Sequence, residues 1–281
     1  MRRTPWVLRA VTALYLAWAL VPVLIAVAFS FNAGRSRSTW QGFSLQWYDP
    51  SHVGSVFEDE TLRDALGHTV VLALLVTVVT VPLGVLLALA LDRWRGRIPD
   101  GATFVVALTF VIPEIALAIG LLFMVLFLQT PFGLGTWAQV VGLITFQLAY
   151  PVIIVRARLL TIGGHYEEAA RDLGASAIGA LRRVLLPLLI PAIVVSAFLV
   201  FADVLDNFVI VRYLSADAAT ETTSMRIYST ARAAASPALN AMATLILIVS
   251  ALVLVLGWIA FRLWRRRTGE RTSVGDFAHS L

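Results

Sequence analysis

Three acids stand in stretches of this sequence that are otherwise apolar. Glu114 follows Pro113 inside the run 103–128, and Asp203 and Asp206, with Asn207 alongside, interrupt the run 187–211. At 1.5 Å per helical residue, Glu114 lies roughly 16 Å from the inner end of its run. An ionisable group at that depth in hydrocarbon costs several kcal/mol unless it faces a polar cavity or a partner. Pro113 frees a backbone carbonyl nearby, which suits a broken helix lining a path. Positions three and four apart share a helix face, so Asp203, Asp206 and Asn207 make one polar stripe. Acids along one path favour a cation, because an amine offsets the cost of burying each carboxylate. Two plainer readings remain open: a neutral Glu114 hydrogen-bonded between helices, and Asp206 and Asn207 simply ending a helix near water. Trp40, Trp47 and Tyr48 likewise suit either an interfacial aromatic belt or ring faces that guide a cation into the path.

Much chemistry is excluded. The chain has 281 residues, 59% hydrophobic and 14% charged, with a mean hydropathy of +0.84, a composition that points to lipid as its solvent. It contains no cysteine, so disulfides, thiolate metal sites and a cysteine nucleophile are absent. All 22 basic residues are arginine, which removes the phosphate-binding GxxxxGK[ST] loop, a Schiff-base lysine and a Ser–Lys dyad. Nucleotide energy, if used, is spent by another chain, and no catalytic residue is expected here. His52, His68, His165 and His279 have no metal-ligand spacing and no HExxH is present, so no metal site or resident cofactor is expected. A pI of about 10.2 would suit nucleic acid, but the arginines cluster at the ends of apolar runs and not along one polar face.

Spans of about 20 apolar residues cross a hydrocarbon core of about 30 Å. Six candidates carry the acids and their surroundings: 11–31, 69–91, 103–128, 137–155, 187–211 and 239–261. The first has Arg2, Arg3 and Arg9 before it and a cleavage-like Ala26-Val27-Ala28. Its length and Pro22 make it a retained helix and not a signal peptide. With the N-terminus inside, segments 2–9, 93–97, 156–183 and 262–271 hold sixteen arginines and the outer segments six. Positive charge accumulates on the cytoplasmic side, so both termini are expected there. The chain reads as an all-α polytopic membrane protein. Residues 1–267 form the membrane domain, and 268–281 a polar cytoplasmic tail.

The inner loop 156–187 has its own organisation. Tyr166–Leu173 reads as a short helix with acids early and small residues on one face. Gly174 supplies the backbone freedom to end it, Ser176 caps a second helix 177–185, and Pro187 opens the next span. Two short helices with a glycine corner make a knob suited to a groove on a soluble partner. On physics alone an amphipathic segment lying on headgroups fits equally well.

The residues of this loop also carry a family resemblance, which favours the docking knob. Glu168-Ala169-Ala170, three residues, Gly174, nine residues, then Val184-x-Leu186-Pro187 resembles the EAA signature of importer-type ABC permeases, with Val in place of the usual Ile. The resemblance implies a six-helix type I permease fold, acting as one half of a dimeric pore. Glu168, Ala169, Ala170, Gly174, Leu186 and Pro187 then serve coupling to an ATP-binding subunit. It implies as partners a second permease subunit, two ATP-binding subunits that hold ATP and Mg, and an extracytoplasmic solute-binding protein. Ser30-Phe31-Asn32, Trp40-Gln41-Gly42-Phe43 and Trp47-Tyr48, with Met225–Ser229 and Ser236-Pro237-x-x-Asn240-Ala241, resemble spermidine/putrescine-type permeases, closest to their C-type subunit. That likeness implies a path for polyamines that includes Trp47, Glu114, Asp203, Asp206 and Asn207. Acids also occur in that family at Glu114 and Asp206, Asn207 is often a second Asp, and Asp203 has no clear counterpart. Ala238 departs from the family, which usually has an acid there. Related systems carry aminoethylphosphonate, opines, thiamine or ferric ion, so those cargoes stay open. A secondary transporter would explain Glu114 but leaves the 168–187 signature without a purpose.

Overall fold

The computed structural model describes residues 6–36, 39–94, 96–128, 131, 133–234 and 237–268. Helices dominate: α1 (Trp6–Phe29), α2 (Glu60–Arg93), α3 (Arg97–Leu108), α4 (Glu114–Phe127), α5 (Thr136–Gln147), α6 (Ala149–Ile162), α7 (His165–Asp172), α8 (Ala177–Ala180), α9 (Leu186–Asp206), α10 (Val209–Leu214), α11 (Thr223–Ala234) and α12 (Pro237–Thr268). Among the described residues there is one isolated antiparallel bridge, Asn32 with Phe43. Among the described residues, five helical stretches are long and apolar enough to cross a membrane: Trp6–Phe29, Glu60–Arg93, Thr136–Ile162, Ala177–Asp206 and Pro237–Ile259. The expected span 103–128 is instead two shorter apolar helices, Pro99–Leu108 and Glu114–Phe127. Proline lacks an N–H and its ring clashes with the carbonyl four residues back, so a helix cannot run evenly through Pro113. The chain passes the break in tight turns, with Phe110 N–H donating to Ala107 O and Val111 N–H to Leu108 O. The polar tail expected at 268–281 lies, beyond Thr268, outside the described residues.

The chain divides into two compact units. The first comprises 1–74, 114–143 and 204–249. Its core is Trp47, Val56, Leu62, Ala65, Ala238, Leu239, Ala241 and Met242. Asn32, fully buried, organises the preceding loop: its Nδ2 donates to Ser36 O and Thr39 O, and its Oδ1 accepts from Gln41 N–H at 2.7 Å. Trp47 is 2% exposed and its Nε1 donates to Asn32 O at 2.7 Å. Both readings of Trp47 from sequence, membrane belt and cation-guiding ring face, required exposure, and the structure places it in this core. Trp40 remains exposed. Asp59 sits just ahead of α2, its Oδ1 accepting from the N–H groups of Thr61 and Leu62, and this cap starts α2 nine residues before the apolar run at Thr69. Gly142 of α5 lies against α10: a Cβ there would come 2.4 Å from Leu214 Cδ1.

The second unit comprises 75–113, 144–203 and 250–281. Here α2 and α6 approach closely at Gly84, where a Cβ would fall 2.3 Å from Pro151 Cγ. Arg156 Nη1 donates to Thr103 Oγ1 at 2.7 Å, joining α6 to α3. α12 runs past the expected apolar limit at 261, and Arg262 stacks 5.0 Å from the Trp258 ring.

Candidate functional site

In the first unit, Glu114 is the first residue of α4, set there by the Pro113 break. Asn207 follows the last residue of α9 and precedes α10, so it stands at a second interruption of apolar helix. Asn207 Nδ2 donates to Glu114 Oε1 at 2.6 Å. Its Oδ1 accepts from Ile210 N–H at 3.2 Å, capping α10, and its backbone carbonyl accepts from Ser224 Oγ at 2.7 Å. One buried side chain therefore mends a helix break and holds the acid of another helix.

Asp206 is exposed and lines an open cleft of about 570 Å³ with Phe208, Ser224, Ile227, Tyr228 and Ala231. The Phe208 and Tyr228 rings are tilted at 43° with centroids 4.7 Å apart. A carboxylate, two aromatic rings and a hydroxyl around one cleft suit an alkylammonium group better than an anion. Arg226 on the same helix, α11, is paired with Glu221 at 3.2 Å. The sequence pointed to Asp206 and Asn207 by their polarity. Tyr228 entered the sequence reading only within the stretch Met225–Ser229 and Phe208 not at all, because an aromatic in such a segment carries no signal of its own until the fold sets a carboxylate beside it.

Asp203 belongs to the second unit. Its Oδ2 accepts from Gln147 Nε2, and its Oδ1 from the Tyr150 hydroxyl at 3.5 Å. Phe110 meets the Tyr150 ring edge-on at 5.1 Å. Gln147 is fully buried at the junction of α5 and α6, where Pro151 removes a helical hydrogen bond. Neither Gln147 nor Tyr150 was singled out by sequence. His68, read as structural, is bonded to Gln139 Oε1 at 2.9 Å.

The segment 165–187 also lies in the second unit. α7 ends where Gly174 takes φ +85°, and Ser176 Oγ accepts from Gly179 N–H, as the sequence reading expects for corner and cap. The second short helix is not uniform: α8 ends at Ala180, and Leu181–Leu185 winds as a π-turn directly into α9, where Leu186 and Pro187 lie half-buried. Such π-turns concentrate at functional positions. Glu168 and Ala169 are exposed and Ala170 half-buried. Around them Tyr166, Leu173 and Ile178 are exposed, Leu173 by 90%. Apolar groups presented beside charges on a short helical corner form a surface that a protein partner covers well.

Residues 80–269 match the family of binding-protein-dependent transport system inner membrane components. The spermidine/putrescine transport system permease protein PotC of Haemophilus influenzae is 32% identical over 246 residues, 88% of this chain and 93% of that protein. PotC of Escherichia coli K12 is 34% identical, covering 87% of this chain and 89% of that protein. The putrescine transport system permease protein PotI of the same organism is 31% identical, covering 96% and 94%. Among solved structures, a bacterial alginate ABC transporter in complex with alginate pentasaccharide-bound periplasmic protein has a chain of like fold, with a TM-score of 0.72 at 19% identity and 96% of each chain covered. The MetNI methionine ABC transporter gives a TM-score of 0.55 at 22% identity, covering 72% of this chain and 93% of that one. With several apolar membrane-length helices and the matched segment running from α2 through the α7–α8 corner into α12, this chain belongs to the binding-protein-dependent transport system inner membrane components, the membrane-embedded permeases of ABC importers.

Proposed function

We propose that this chain is the permease subunit of an importer for polyamines of the spermidine and putrescine class, and that the cargo passes Glu114, Asp206 and Asn207. The observation that carries the reading is the open cleft at Asp206, where a carboxylate, a hydroxyl and the Phe208–Tyr228 ring pair line a space of about 570 Å³. A flexible amine chain suits such a lining: its ammonium meets the carboxylate and its methylenes meet the rings. The PotC and PotI relatives support the same cargo. Asp203, held by Gln147 and Tyr150, serves as a further polar station.

Six spans with both termini cytoplasmic, the third formed by the paired short helices α3 and α4, complete the topology we propose. Glu168, Ala169, Ala170, Gly174, Leu186 and Pro187 belong to the coupling segment, which docks on a separate ATP-binding subunit. That subunit hydrolyses ATP with Mg, and this chain turns its closure into alternating access. Two such subunits, a second permease and an extracytoplasmic solute-binding protein make up the working assembly. The alginate transporter solved with its periplasmic protein supports such an arrangement.

The test is uptake of labelled putrescine and spermidine by vesicles that hold the whole assembly with its binding protein. Saturable ATP-dependent uptake, each amine competing with the other, is expected. ATP hydrolysis stimulated by a phosphonate or a sugar, with no response to amines, would overturn the cargo assignment.

A further inference from the structure

Glycines bracket α7. Gly163 at φ +70° and Gly164 precede it, and Gly174 at φ +85° follows it. Such joints leave a two-turn helix free to pivot unless something else holds it. A charged contact supplies the hold. Arg93, the last residue of α2, donates from Nη2 to both carboxylate oxygens of Glu167, at 2.9 and 3.0 Å. Arg171, one turn further along α7, donates to Glu167 Oε1 at 2.8 Å. The Glu167 side chain is only 16% exposed, against 40% for Arg93 and 53% for Arg171. A covered carboxylate accepting three charge-assisted bonds is held more firmly than a surface ion pair. The two adjacent acids thus face opposite ways in chemical terms: Glu168 is exposed, while Glu167 is turned into its own chain.

We propose that the Arg93–Glu167 pair is a tether that makes α7 and the Arg93 end of α2 move as one body. A displacement imposed on α7 then reaches the 34-residue helix α2 and is not absorbed at Gly163 and Gly164. Glu167 and Arg93 are positioning residues, and touch neither cargo nor nucleotide. The tether rests on the coupling role proposed above and adds the element that receives the motion.

The test uses the assembled transporter in lipid, with the ratio of binding-protein-stimulated to basal ATP hydrolysis as readout. Arg93→Glu and Glu167→Arg each lower that ratio about five-fold, the equilibrium weight of one well-formed ion pair. The double exchange re-forms the 93–167 pair with its polarity reversed, at the cost of placing an arginine one turn from Arg171, and restores at least half of the ratio. The chain has no cysteine, so Arg93→Cys with Glu167→Cys, bridged by a short bismaleimide, adds a second measurement. Bridged transporter keeps more than half of its uptake if the two elements move together. Wild-type ratios in the single variants, a double exchange no better than either single, or uptake halted by the bridge would each overturn the tether. Glu168→Ala run in parallel separates the two ideas. If Glu168→Ala uncouples and Arg93→Glu does not, the tether alone fails; if neither does, the coupling role falls with it.

Discussion

Glutamine at position 114 keeps the length and acceptor oxygen of glutamate and removes the charge that the proposed cation path requires. The contact it must preserve is the 2.6 Å bond from Asn207 Nδ2 to Glu114 Oε1. A bond to a charged acceptor contributes about 1.5–3 kcal/mol and a neutral one about 0.5–1.5, so Glu114→Gln weakens this contact by roughly 1 kcal/mol. Against a typical stability of about 5–15 kcal/mol, that leaves the assembled complex intact. A cationic cargo meets a larger change. An ammonium about 4 Å from a carboxylate gains about 4 kcal/mol at an effective dielectric of about 20, and desolvation cancels roughly half. The remaining 2 kcal/mol or so corresponds to about 30-fold in uptake at limiting cargo. The assay is the initial rate of labelled putrescine entry into vesicles, normalised to recovered complex, with Glu114→Leu alongside. Leucine leaves the buried amide of Asn207 without its acceptor, costs about 1–3 kcal/mol, and lowers recovery of the complex itself. Uptake by Glu114→Gln within about two-fold of wild type, with Glu114→Leu losing complex, would make Glu114 a bolt between helices and refute its place in a cation path.

Three further outcomes follow from the same geometry. Glu168→Ala, and Gly174→Val, which forces a β-branched residue to φ +85°, should release or uncouple the ATP-binding subunit while binding-protein affinity stays at the wild-type value; normal complex recovery with normal uptake would contradict this. Stimulation of ATP hydrolysis by the binding protein should weaken as salt rises, because Glu58, Glu60 and Asp64 are exposed and such charges are screened beyond about 10 Å at 0.1 M; a response indifferent to ionic strength would remove the electrostatic part of docking. Burial pushes the Asp59 carboxyl up, but hydrogen bonds from the Thr61 hydroxyl and the Leu62 and Thr61 N–H groups, with the field of Arg226, outweigh it and hold the group below its ordinary value. Its folded value being the lower one, the cap is fully present above about pH 5 and is lost as pH falls below about 4; the melting-temperature gap between wild type and Asp59→Ala, worth about 1 kcal/mol at neutral pH, should therefore close in acid.

Local chemistry was legible in the sequence, and long-range partnership was not. Gly174 and Ser176 announced a corner and a cap because both depend on backbone geometry within a few residues. Pro113 announced a break for the same reason, although a hydropathy run across 103–128 hid that the break would leave two helices. Windows of apolar residues also missed the start of α2, since Asp59 and the polar residues behind it make helix without adding hydropathy. The burial of Trp47 was not legible, because an aromatic beside an apolar run suits a membrane surface as well as a core. Only the folding of 30–46 around Asn32 decides between them. Asn207, the partner of Glu114, lies 93 residues away, and Arg93, the second partner of Glu167 beside Arg171, lies 74 away, and no spacing rule reaches that far.

The position of the candidate path follows from the same rule that shapes the helices. Backbone that leaves the helix at membrane depth exposes N–H and C=O groups that hydrocarbon cannot satisfy, so each interruption must bring polar side chains with it. At Asn207 that requirement is met by the amide oxygen, which takes Ile210 N–H, and by Ser224, which donates to the Asn207 carbonyl. The amide nitrogen is then left facing outward from its own break, and it is this group that fixes Glu114 at the other one. A carboxylate in an apolar segment needs a donor, and a broken helix needs an acceptor and a donor. Joining the two interruptions through one asparagine satisfies both, with Asp206 one residue away at the cleft wall. Asn207→Ala should therefore damage two helices and the acid together, whereas Asn207→Asp, which keeps the acceptor for Ile210 N–H, should preserve the α10 cap and set a second carboxylate against Glu114, loosening α4 from α10.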